Sequence, residues 1–267
     1  MKKAVAILNR NMPEITDKLV ESLIEQDIDA DLFVLENGSD KDKYSKYANL
    51  FAEESNGVAW GVNRLLQHCL DNGYDYIWLN FNDARVNKPK EFFDWAIATM
   101  EIDNNVGICT PVWGSMWGEE GLKVNASHWE TSKNNICTFF DDLTYVVSRK
   151  ALETTSKQNR LTPFFDQSNY SNHYNMVAVS YELAKSGMYI VTNKNFKAEE
   201  LNDADNDSEV ARGYSNDEWK NVKGAKDIDR WINSYFKKFK DLEGTNKQKR
   251  DIVIQVITHT LKEQGII

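Results

Sequence analysis

The sequence predicts an α/β protein: a three-layer α/β/α arrangement on a mainly parallel sheet, followed by a C-terminal helical extension. Three observations carry this. Short apolar runs alternate with amphipathic helical stretches through the first hundred residues. The runs are the unbroken kind suited to strands buried on both faces. The 267 residues are 41% hydrophobic and include eight Trp, enough for one sizeable core with a small appendage.

The elements follow in order. KAVAILN (3–9) reads as a buried strand. In 13–26, Pro13 suits a first helical turn, and Ile15, Leu19, Val20, Leu23 and Ile24 form one stripe. DLFVLENGSD (31–40) is a second strand that ends in Asn-Gly turn chemistry. In 55–74, Val58, Val62, Leu65, Leu66, Cys69 and Leu70 face inward on a helix that Gly73 stops. Residues 75–80 are a third strand, 89–100 a third helix and 106–112 a fourth strand. The stretch 113–135 reads as a long loop over one edge, with room for a small hairpin. Residues 141–152 return to a strand and begin a helix, 173–187 are a helix, and 188–193 are a last strand.

The chain changes character near Lys194. The block 199–209 is acidic without a positive charge. Its Asp203, Asp205 and Asp207 have calcium-loop spacing, but Ser208 stands where glycine is needed and Tyr214 where the closing Glu is needed, so it reads as a solvated loop. Two helical stripes follow: Ile228, Trp231, Ile232, Tyr235, Phe236 and Phe239, then Ile252, Val253, Val256, Ile257 and Leu261. They would pack on the sheet domain or form a homodimer interface. The expected units are therefore 1–193, with halves 1–105 and 106–193, and an extension over 194–267.

The bulk numbers exclude some functions. A net charge of −9 disfavours general binding to phosphate backbones. Three widely spaced Cys (Cys69, Cys109, Cys137) lack metal-ligand spacing and fit reduced thiols in a cytoplasmic protein. The first apolar run is too short for a signal peptide, and no segment reaches transmembrane length.

The chemistry gathers at strand ends. The first strand ends in Asn9-Arg10-Asn11, the second in Glu36-Asn37-Gly38-Ser39-Asp40, the third in Asn80-Phe81-Asn82-Asp83 with Arg85 beyond. Gly57 and Gly61 open the helix between them, and Asn63 lies in its first turns. In parallel sheets, ligands sit outside these carboxyl ends. Asp83 is the only acid in NFND and so is the candidate metal ligand.

These segments, VAILNRN, LFVLENGSD, SNGVAWGVN and YDYIWLNFNDARV, together resemble the GT-A-type glycosyltransferases of family 2, especially their rhamnosyltransferase-like members. The likeness extends collinearly to about residue 192, where YVVSRKAL and PFFDQ are similar to the acceptor-side strand and loop. It implies a GT-A fold and a metal-dependent transfer of a sugar from a nucleoside-diphosphate sugar to a hydroxyl. The acceptor would be a glycan, a protein or a modified nucleobase. It implies a nucleotide-sugar site at Asn9, Asn11, Glu36, Gly38, Gly57, Gly61, Asn63, Asn82 and Arg85, with Asp83 holding Mn²⁺ or Mg²⁺. One carboxylate suffices for such a cation when the donor phosphates supply further oxygens.

The chain departs from that family at one point. An inverting transferase needs a general base, and Asn175 and Met176 stand where the family's acidic pair should open the late helix. Three readings follow. The base comes from elsewhere, with Asp142 preferred and Asp166 as the second candidate; the reaction retains configuration; or the chain is a non-catalytic nucleotide-sugar-binding or scaffold protein. Trp113, Trp117 and Trp129, with His128, are either an acceptor platform that stacks on rings or staples for a long loop. A nucleotidyltransferase would want a glycine-rich basic loop after the first strand, and NRNMPE offers only Arg10.

Overall fold

The computed structural model describes residues 1–55, 57–113, 126–131, 134–140, 143–158, 164–165, 175–201 and 246–267. The order begins β1 (Lys3–Asn9), α1 (Pro13–Glu25), β2 (Asp31–Asn37), β3 (Leu50–Ala52), α2 (Val58–Asp71), β4 (Tyr76–Phe81), β5 (Ala84–Val86), α3 (Pro89–Ile102) and β6 (Val106–Trp113). It continues with β7 (Ala126–Thr131), β8 (Asn134–Cys137), β9 (Thr144–Ser148), α4 (Arg149–Gln158), α5 (Asn175–Lys185), β10 (Tyr189–Glu200) and α6 (Asn246–Glu263).

The ten strands of the described residues join one sheet, in the order β3-β2-β1-β4-β9-β6-β10-β8-β7, with β5 paired to β10. From β3 to β4 every pair is parallel. Beyond β4 the sheet is mixed, because β9 runs antiparallel between β4 and β6. This places the start of β9 at the same edge as the ends of β1, β2, β4 and β6. Two apolar layers cover the sheet. One buries Val62, Leu65 and Leu66 of α2 and Ala151 and Leu152 of α4 against Ile77, Leu79 and Val147. The other buries Leu19, Val20 and Leu23 of α1 and Phe92, Phe93 and Ala96 of α3 against Val5, Trp78 and Val146. That is the expected three-layer α/β/α arrangement.

Some details differ from the sequence reading. Ile24 is exposed, because α1 turns only its Leu19–Val20–Leu23 side inward. The small hairpin for which the 113–135 stretch left room is present as β7–β8, but it runs on to Cys137 and pairs through β8 with β10. The last strand is longer than its apolar run: β10 continues to Glu200, and its second half pairs with β5. The polar residues there are tolerated because burial alternates along the strand: Phe196 and Ala198 face inward while Asn195, Lys197 and Glu199 face water. Of the second C-terminal stripe, Ile257 and Leu261 of α6 bury against the same layer as α5's Ala178 and Ala184. The acidic block from 202 onward and the 228–239 stripe lie outside the described residues. Among the described residues, no helix is long and apolar enough to cross a membrane.

Candidate functional site

At the carboxyl edge of β1, β2 and β4 the apolar core gives way to a buried polar network. Glu36, the penultimate residue of β2, is fully buried. Its carboxylate accepts from Asn9 Nδ2 at 3.0 Å on each oxygen and from the Ser45 backbone N–H at 2.8 Å. The parallel register puts Asn9 directly beside Glu36, so the pairing follows from the β1–β2 alignment. Asn9 Oδ1 in turn accepts from Thr16 Oγ1 (2.8 Å) and Asn82 Nδ2 (3.1 Å), and Asn82 Nδ2 also reaches Thr16 Oγ1 (3.2 Å). Glu36 therefore faces protein partners here. Thr16 and Ser45 were not singled out from the sequence. Thr16 lies three and four residues before Leu19 and Val20, so it shares their inward face, and that spacing is the signal that could have found it.

Asp83 lies in the tight turn between β4 and β5. Its Oδ1 is shielded from solvent and has no hydrogen-bond partner. Burial pushes its carboxyl above the usual aspartate range, with its own backbone N–H and the Arg85 charge opposing. An unpartnered buried carboxylate oxygen is costly. The turn is nonetheless held firmly. The Leu201 N–H donates to Asp83 O (3.0 Å), the Phe81 N–H to Leu143 O (2.8 Å), and Asn80 Nδ2 to Ala84 O (3.1 Å). Arg85 spends its guanidinium on backbone carbonyls, donating to Asn82 O (2.6 Å), Ala84 O (3.0 Å) and Ile15 O (3.0 Å). It is a staple that ties the turn to α1.

Beside this turn, the β2 end and the α2 start come into close contact. Gly38 has φ +72°, and a Cβ there would lie 2.2 Å from the Ser55 backbone nitrogen. A Cβ on Gly61 would lie 2.7 Å from Leu8 Cδ1 and 2.9 Å from the Asn37 amide. Gly57 is the N-cap of α2, and its carbonyl accepts from Asn37 Nδ2 at 3.3 Å. Here too polar atoms lack partners: Asn37 Oδ1, Asn80 Oδ1 and Arg10 Nε are buried and unbonded, while Arg10 Nη1 donates to Ser55 Oγ at 3.2 Å. Asn11, at φ 57°, ties the β1 turn to the β2 turn: its N–H donates to Ser39 Oγ (3.0 Å) and its Oδ1 accepts from the Asp40 N–H (2.7 Å).

Asn63 does something different. It is buried in α2, and its Nδ2 donates to Phe165 O at 2.6 Å. Its Oδ1 accepts from the N–H groups of Phe164 (3.2 Å) and Phe165 (2.8 Å). It clamps the Phe164–Phe165 segment to α2. Asp142, Asp166 and Trp117 lie outside the described residues. Trp113 ends β6, and His128 and Trp129 lie on β7; their side chains are outside the described part.

Among the described residues, no group of three or more His, Cys, Asp or Glu gathers as a metal cluster. The donor set that does exist is one carboxylate with an unpartnered oxygen, beside strand-end amides. Hard oxygen donors of this kind, too few for a closed cage, fit Mg²⁺ or Mn²⁺ when phosphate oxygens complete the shell.

No protein-family model matches the sequence, and no curated protein matches it by sequence. Solved structures do match by shape. GalNAc-T7, crystallised with UDP, GalNAc and Mn²⁺, superposes with a TM-score of 0.56 at 10% identity over 76% of this chain, which spans 44% of that one. TarS 1–349 of S. aureus gives 0.56 at 13% identity over 99% of this chain and 72% of that one. Glucosyl-3-phosphoglycerate synthase of Mycobacterium tuberculosis, in complex with phosphoglyceric acid, gives 0.50 at 13% identity over 75% and 72%. These matches are to glycosyltransferases of one architecture: this chain has the GT-A glycosyltransferase fold.

Proposed function

We propose that the chain is a metal-dependent glycosyltransferase that moves a sugar from a nucleoside-diphosphate sugar to a hydroxyl acceptor, and that it belongs with the rhamnosyltransferase-like members of family 2. The observation that carries this is Asp83 Oδ1, buried and unpartnered in a braced turn at the carboxyl edge of the sheet. A buried carboxylate oxygen without a donor calls for an explanation, and a cation held beside it supplies one. When bound, Mg²⁺ or Mn²⁺ neutralises the charge that develops on the leaving diphosphate. Asp83 supplies the carboxylate for it, and Asn82 an amide oxygen. The Asn9–Asn11 turn, held from beneath by the sealed Glu36 carboxylate, and the glycine-opened start of α2 shape the nucleotide side. Asp142, or Asp166 after it, would take the proton from the acceptor hydroxyl as its oxygen bonds to the anomeric carbon opposite the breaking bond to the diphosphate, and that single displacement inverts configuration. Trp113, Trp117, Trp129 and His128 form the acceptor platform. Residues 194–267 form an extension to the 1–193 transferase unit, with a homodimer contact through the C-terminal helices and a cytoplasmic location.

The test is thermal stability against UDP, GDP, dTDP and their sugars, with Mn²⁺ and with EDTA, on wild type and Asp83→Ala. A ligand at a hundred times its dissociation constant adds about 2.7 kcal/mol. A metal-dependent shift that Asp83→Ala abolishes supports the reading, and absence of any shift overturns it. A second reading, a binder without turnover, is favoured by Asn175, which is fully buried where α5 opens and brings no carboxylate. Release of free sugar from the stabilising donor would exclude it.

A further inference from the structure

The buried network beneath Asp83 has a direction. A carboxylate only accepts, so Glu36, flanked at 3.0 Å by one nitrogen of Asn9, fixes which way the Asn9 amide points. With Nδ2 on Glu36, Asn9 Oδ1 must face Thr16 and Asn82. An oxygen facing Asn82 at 3.1 Å requires the Asn82 amide to present its nitrogen inward, where it also meets Thr16 Oγ1 at 3.2 Å. The opposite orientation would set Asn82 Oδ1 against Asn9 Oδ1, two acceptors with no proton between them. Asn82 Oδ1 is thereby turned away from the network. Among the described residues no donor meets it, and the next residue, Asp83, has its own Oδ1 unpartnered. Asn9, Glu36 and Asn82 stand far apart in sequence but are brought together by the β1–β2 and β1–β4 pairings.

We infer that Glu36, Asn9 and Thr16 are positioning residues that set the Asn82 amide with its oxygen, rather than its nitrogen, toward the metal and diphosphate of the donor. This rests on the donor-site reading above and gives Glu36 a role distinct from nucleotide contact. An amide nitrogen repels a cation and its oxygen attracts one, so the charge buried at Glu36 decides whether Asn82 helps or opposes the cation beside Asp83.

Three variants test it: Glu36→Gln, whose amide accepts or donates and no longer dictates Asn9; Thr16→Val, which removes one of the two acceptors that hold Asn82 Nδ2 and the hydroxyl that donates to Asn9 Oδ1; and Thr16→Ser, which restores the hydroxyl. The readout is Mn²⁺ affinity, from the free-ion paramagnetic resonance signal at saturating nucleoside diphosphate, using whichever of UDP, GDP and dTDP stabilises the wild type. Nucleoside diphosphate affinity in EDTA is measured alongside. Partners that orient a ligand are worth roughly tenfold to a hundredfold in metal affinity. The expected result is a loss of that order in Glu36→Gln and Thr16→Val, recovery in Thr16→Ser, and unchanged nucleotide affinity in EDTA. If Glu36→Gln fails to fold, the Thr16 pair decides. Folded variants with wild-type Mn²⁺ affinity overturn the inference while leaving the donor site standing. So does a Glu36→Gln variant that loses nucleotide affinity equally with and without metal, since Glu36 is then a direct contact. A wild type that binds none of the three with Mn²⁺ removes the donor-site reading itself, and the inference with it.

Discussion

Replacing Asn63 with Ala should be among the most damaging single changes to a polar residue in this chain. The side chain makes three bonds to the backbone of Phe164 and Phe165, at 2.6, 2.8 and 3.2 Å, and all three residues are buried. Alanine leaves two N–H groups and one carbonyl without partners where water cannot replace the amide. Each such group costs about 1–3 kcal/mol, and neighbouring losses overlap, so the sum is about 3–5 kcal/mol. Alanine's better helix propensity returns roughly 0.5 kcal/mol within α2. The net, about 2.5–4.5 kcal/mol, corresponds to a fall in Tm of roughly 5–15 °C at this size. Calorimetry or far-UV circular dichroism reads it directly. The internal control is Asn72→Ala, at the exposed C-terminal cap of the same helix, whose amide bonds only His68 O; it should cost no more than about 1 kcal/mol. If the Asn63 and Asn72 variants melt together, the clamp does not hold Phe164–Phe165 against α2.

Other outcomes follow from the same geometry. Asp83→Asn should raise the Tm of the metal-free protein at pH 7 by a few degrees, by removing about 1 kcal/mol of uncompensated burial, and should abolish stabilisation by nucleoside diphosphate with Mn²⁺. Because the folded carboxyl titrates above its usual value of 3.8, the cost of its charge is present above the folded value and vanishes as pH falls toward 3.8. The Tm gap between variant and wild type, followed by pH-dependent melting, should therefore close on acidification. Gly38→Ala should cost about 2–5 kcal/mol, from its left-handed backbone and the 2.2 Å contact with Ser55, whereas Gly73→Ala, at φ +80° with open space around it, should cost only about 1–2 kcal/mol by denaturant titration. Thr144→Val should cost about 1–3 kcal/mol and shift Trp78 fluorescence, because the buried indole N–H loses its 2.9 Å acceptor.

What the sequence determined by itself is local. Alternating apolar runs and amphipathic stripes place most strands and helices to within a few residues, since strand and helix periods are written in neighbouring positions. The strand-end asparagines and Asp83 were legible as a candidate site because parallel strands present their carboxyl ends together. Only the tertiary structure decided that Glu36 is sealed inside, that Thr16 joins Asn9 and Asn82, that Arg85 is committed to backbone carbonyls, and that Asn63 reaches residues about a hundred positions away. It alone decided that β10 crosses to hold β5 and brace the Asp83 turn. The physical reason is the same in each case. Which polar groups find partners in a dry interior depends on strand order and register, and these are set by contacts between segments far apart in the chain.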